Sequence, residues 1–134
     1  MSGVEVAGFV LAAFPLIVSA LEHYQEGFES LQDWWRFRTE FVGFIHEIGT
    51  QSVLFSENLE ELLRPIVLSD AEMDALLSDP GGRAWNDPNL ETRLQQRLPQ
   101  PYGWYRCTID DINNILEKLK AKLGIQKGQV CPLP

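Results

Sequence analysis

Two histidines stand beside carboxylates: His23 is flanked by Glu22 and Glu26, and His46 by Glu47. A carboxylate against an imidazole can orient the ring as a general base. Such a base needs something to activate, and no candidate nucleophile stands at recognisable spacing from either histidine. The pairs therefore read as solvated or helix-supporting groups. Cys107 has no adjacent histidine, so an activated thiolate is not expected. A metal would need at least three convergent soft or imidazole ligands. Two histidines 23 residues apart and two cysteines without CxxC spacing do not provide them. Asp79, Pro80, Gly81 and Gly82 form a turn rather than a phosphate cradle, because no Gly-Lys-Ser/Thr sequence and no preceding strand accompany them. The expectation is a non-enzyme: no catalytic residue, no metal, no cofactor and no small-molecule substrate.

Charge narrows the partners further. Nineteen acids against 11 Lys and Arg give the 134-residue chain a net charge of −8. That charge repels a phosphate backbone and does nothing to attract an anionic leaflet, so nucleic acid is not an expected partner. The imbalance is uneven: residues 1–99 carry 16 acids and 6 bases, residues 100–134 carry 3 acids and 5 bases. Lys118 and Lys122, one turn apart, are thus candidates for an interaction surface. Arg38 joins them, because a charge on an otherwise apolar stripe must snorkel, find a carboxylate or meet a partner. Cys107 and Cys131, with no secretion signal before them, are expected as reduced thiols in the cytosol, although one bridge between them stays open.

The elements that would carry these groups are helical. No run shows period 2, whereas several show period 3.6, which predicts an all-α helical bundle. Val6 to Leu21, VAGFVLAAFPLIVSAL, is free of charge. At about 1.5 Å per residue it spans roughly 24 Å, short of the roughly 30 Å hydrocarbon core of a bilayer. It has no basic residue before it, unlike a signal peptide, and is expected to remain in the mature protein. The first helix should cover about Val4 to Glu26, with a kink or break at Pro15. Being apolar on every side, it must be enclosed by protein or lipid. Gly8 and Ala12 make a small-xxx-small pair that permits close helix approach.

Leu31, Trp34, Arg38, Phe41, Ile45, Ile48, Ser52, Phe55, Leu59, Leu62 and Ile66 alternate in threes and fours, which predicts one long central helix, or two nearly collinear ones, as the spine of the bundle. Trp34, Trp35 and Phe37 read as packing residues, with any bend near Gly49. Ser69 and Glu72 make a capping box for a short helix, and Asp87 with Pro88 opens a second. Thr108 is the candidate N-cap of a C-terminal amphipathic helix on Ile109, Ile112, Leu116, Leu119 and Leu123, closed by Gly124. The expected core joins Phe9, Leu16, Leu21, Trp34, Phe41, Ile45, Ile48, Leu59, Leu62, Ile112, Leu116 and Leu119. Residues 1–124 form the bundle domain, and residues 125–134 a flexible tail or linker.

The opening SGVEVAGFVLAAFPLIVSALEHYQEGFESLQDWWRFRTEF, the later LLSDPGG and the closing IDDINNILEKLKAKLG resemble the N-terminal helical domain of a group of filamentous-fungal proteins. That group is similar to HeLo and HeLo-like domains of the prion-inhibition and propagation type. The resemblance implies a regulated cell-death or membrane-perturbing module. Its N-terminal helix is sheltered at rest and exposed after self-assembly. It makes Gly8, Phe9, Leu11, Ala12, Phe14, Leu16 and Ile17 the candidate membrane or self-assembly element and transfers no catalytic residue. The alternative is a soluble helical module for protein–protein interaction or oligomerisation that regulates a downstream domain. Self-association or a protein partner is expected on both readings, with a membrane as a further partner on activation and the cytoplasm as the resting location.

Overall fold

The computed structural model describes residues 2–126 and 129–130. The described chain is all-helical, with five α-helices: α1 (Gly3–Phe28), α2 (Trp34–Leu63), α3 (Asp70–Ser78), α4 (Pro88–Arg97) and α5 (Tyr102–Lys122). A 3-10 turn, Arg83–Asn86, joins α3 to α4, and the residue pairs Ile125–Gln126 and Gln129–Val130 make a short antiparallel contact. Ile125, the first residue of the expected tail, is buried against the core. Most of the expected tail, residues 127, 128 and 131–134, lies outside the described residues, and so does Cys131 with any bridge it would make.

Local chemistry accounts for most of the boundaries. Ser2 caps α1, its hydroxyl accepting from the Glu5 amide at 3.0 Å. The helix runs unbroken across Pro15, where a kink or break was expected. Pro15 is exposed, so its ring meets water rather than the packed core. α2 likewise continues through Gly43 and Gly49. Ser69 caps α3 by accepting from the Glu72 amide at 3.2 Å, while the Glu72 carboxylate takes the Leu68 amide at 3.0 Å. Asp87 caps α4 through the Asn89 amide at 2.9 Å. α5 begins at Tyr102, one and a half turns before the expected cap at Thr108, because Pro101 leads the chain directly into helical geometry. It ends at Gly124, whose φ of +72° suits glycine.

The spine is α1, not α2. α1 contacts α2, α4, α5 and the 3-10 turn, whereas α2 packs substantially only on α1. The reason is patterning. A helix apolar all round can be buried all round, while α2 offers one apolar stripe and can be covered on one side only. Of the expected core, Leu21, Leu59 and Leu116 are buried; Leu16, Phe41, Ile45, Ile48, Leu62, Ile112 and Leu119 are half-buried around it, and Phe9 and Trp34 are half-buried. The largest fully buried side chain is Trp85, in company with Leu76, Leu90 and Leu94 from α3 and α4. Trp35, read as a packing residue, is exposed beside the Arg36 guanidinium. Leu31 is exposed in the turn before α2.

Directions follow from cross-helix contacts. Phe14 meets Phe55 at 5.8 Å between ring centroids and Phe28 meets Phe41 edge-on at 5.5 Å, so α2 runs antiparallel to α1. The Tyr105 hydroxyl donates to the Gly3 carbonyl at 2.9 Å and the Tyr24 hydroxyl to the Leu123 carbonyl at 2.5 Å, so α5 runs parallel to α1. Emptying a buried site should be costly: Leu94→Ala and Leu116→Ala are each expected to lose about 2–5 kcal/mol. Ile45→Ala, at a half-buried position, should lose only about 1–2 kcal/mol. Chemical denaturation of the three variants checks the order.

Candidate functional site

The candidate element Gly8 to Ile17 lies within α1 and is fastened on three sides. On its small face Gly8 meets the indole of Trp85 so closely that an added Cβ would stand 2.7 Å from Cδ2. Trp85 is held there from behind, its Nε1 donating to the Leu76 and Asp79 carbonyls at 3.0 and 3.1 Å. The same loop brings Gly81 against Phe9 and Ala12, and its φ of +77° explains the glycine. Leu11 and Ile17 are buried, Phe14 is buried against Phe55, and Leu16 is half-buried. Gly8 and Ala12 thus permit close approach to an indole and a loop, where a second helix was the expectation.

The amino end of α1 has a polar clasp. The Val4 amide donates to Glu91 Oε2 at 2.9 Å, and the Tyr102 hydroxyl donates to Glu91 Oε1. A carboxylate at a helix N-terminus also meets the positive end of the helix dipole. Burial alone would push the Glu91 carboxyl up. Hydrogen bonds from Tyr102 and from the Val4 and Gly3 amides outweigh it, so Glu91 ionises below its ordinary value of 4.5. Burial first, then the charge of Glu91, push the Tyr105 phenol well above the tyrosine range, so it remains a donor to Gly3.

The remaining candidates stay apart. Arg38 is exposed on the flank of α2 that periodicity sets away from α5, whereas Lys118 and Lys122 are exposed on the flank of α5 that faces α2. His23 and His46 are exposed. His46 lines a shallow hollow of about 480 Å³ with Val18, Glu22 and Val42. Cys107 is exposed, and among the described residues no three His, Cys, Asp or Glu side chains gather into a metal-binding group. A groove of about 430 Å³ opens between α2 and α5, with Phe14 in its lining and Ile48, Leu54, Phe55, Ile112 and Ile115 around it.

Sequence reasoning missed Trp85, Glu91, Tyr102 and Tyr105. One signal was present: Trp85 is the single aromatic between Phe55 and Tyr102, three residues after the glycine pair Gly81 and Gly82. Gly8→Leu is expected to destabilise the fold by about 1–3 kcal/mol or more through overpacking against Trp85, read as a lower melting temperature. Glu91→Gln tests the clasp. A carboxyl with a depressed folded pKa adds stability above its unfolded value and loses it as pH falls through the folded one. The parent should therefore exceed Glu91→Gln in stability at pH 7, with the gap closing below pH 4.5. No protein-family model, curated protein or solved structure matches the chain.

Proposed function

We propose that this chain is a HeLo-like helical bundle that perturbs membranes through α1, released from its enclosure when several copies are clustered. The supporting observation is α1 itself. It is long and apolar enough to cross a bilayer, and more than half of its apolar window is buried inside the fold. A soluble core helix passes the same test, so length and composition need a mechanism beside them. That mechanism is incomplete enclosure. α1 is open to water at Pro15 and Ser19, with Ala12, Leu16 and Val18 half-buried beside them, which gives a route for loosening. With a net charge of −8, adsorption to anionic lipid is unfavourable, so clustering has to supply the avidity.

The second reading is a soluble interaction module. What favours it is the fastening of α1 by Trp85 and Glu91, since removing the helix takes the centre out of the core. The two separate on dye release from neutral phosphatidylcholine vesicles by the chain clustered on an oligomerising tag. Pro15 is exposed and near the middle of the apolar span. Pro15→Lys therefore leaves the folded state intact while placing a charge where the bilayer centre would be. Leakage by the parent and by a Pro15→Ala control, lost in Pro15→Lys, is the expected result. A clustered parent that releases no dye sinks the membrane reading and leaves the interaction module.

A further inference from the structure

The groove between α2 and α5 presents an apolar centre between two polar rims, and its charge pattern identifies an occupant. On α2, Glu47, Gln51, Leu54 and Asn58 repeat in threes and fours along one flank, and all four are exposed. On α5, Asp111, Ile115, Lys118 and Lys122 do the same. Leu54 is 45% exposed and Ile115 64%, high for aliphatic side chains beside a groove that is itself apolar.

The helix directions set these residues level with one another. Contacts of Phe14 with Phe55 and Phe28 with Phe41 make α2 retreat one residue as α1 advances one. Contacts of Gly3 with Tyr105 and Tyr24 with Leu123 keep α5 in step with α1. Leu54 then stands across from Ile115, Gln51 from Lys118, Glu47 from Lys122 and Asn58 from Asp111.

From this we infer that the groove is the docking surface for a second copy of the chain, related by a two-fold axis running along the groove. Such an axis lays the α2 rim of each copy on the α5 rim of the other and keeps every level. Leu54 meets the other copy's Ile115, Glu47 its Lys122, Gln51 its Lys118 and Asn58 its Asp111. Each level is then apolar on apolar, acid on lysine, or amide on charge, and each contact occurs twice. A two-fold axis across the groove lays α2 on α2 instead and brings Glu47 toward Glu61, so charge favours the first arrangement. This pairing is distinct from the clustering on which the membrane reading depends, so each stands or falls by its own assay.

The test is the mass of the purified chain in solution by sedimentation over a concentration series. A dimer is expected, abolished by Ile115→Asp with helix content unchanged and a melting temperature equal to that of the parent at concentrations where the parent is monomeric. Glu47→Lys and Lys122→Glu should each weaken it roughly tenfold, because symmetry turns two attractive contacts repulsive. The double charge swap should restore it. A chain that stays monomeric up to about 1 mM, a dimer indifferent to Ile115→Asp, or a double swap without rescue would each overturn the inference.

Discussion

A helix with no polar face cannot be half-covered in water without exposing apolar surface, and α1 imposes that constraint on everything else. At about 25 cal/mol per Å² of apolar area, leaving several of its side chains in water would cost a large part of a small domain's net stability. The surrounding elements are arranged to prevent this. α2 lies antiparallel along one side and α5 parallel along another, while the Trp85 turn and α4 fill the small face. Even the polar groups around α1 serve its ends: Ser2 and Glu91 take its first amides, and Tyr24 reaches the last turn of α5.

How much of this was legible depended on whether the signal was local. Ser69, Asp87, Pro88 and Gly124 mark helix ends by their own backbone chemistry, and the structure places boundaries at each of them. Period 3.6 identifies helices equally well, since it is a property of one segment. It does not say which of two apolar segments is central. The stripe of α2 is longer and more regular than anything in α1, yet one stripe can be covered from one side only, and most of α2 therefore stays at the surface. What Trp85 packs against was illegible for a related reason. Its partner Gly8 lies 77 positions away in sequence, and nothing local to a tryptophan says that a glycine on another helix will receive it.

The candidate residues divide along the same line. Gly8 to Ile17 could be singled out because a charge-free run is visible in one dimension, and they do lie together in α1. Lys118 and Lys122 could be singled out as a pair because a helix places residues four apart on one side. Arg38 belongs to a different flank, which appears only once the rotation of α2 about its axis is known. Glu91 gave no sign of its role, because a carboxylate on a short amphipathic helix is ordinarily solvated. It becomes a clasp only where α4 meets the amino end of α1.

Release of α1 and docking of a second copy in the groove, both proposed above, would be thermodynamically linked. Phe14 belongs both to the candidate element on α1 and to the lining of the groove between α2 and α5. A second copy seated on that groove adds cover over Phe14, and a ligand that binds only the closed form stabilises it by mass action. Reciprocity then requires that a lipid phase capturing α1 drive the copies apart, since one free energy couples the two events. On the membrane reading a groove-to-groove dimer would accordingly be a resting species. The clustering that would bring many α1 helices to one patch of membrane has to act through some other part of the surface, which leaves α2 and α5 free to separate.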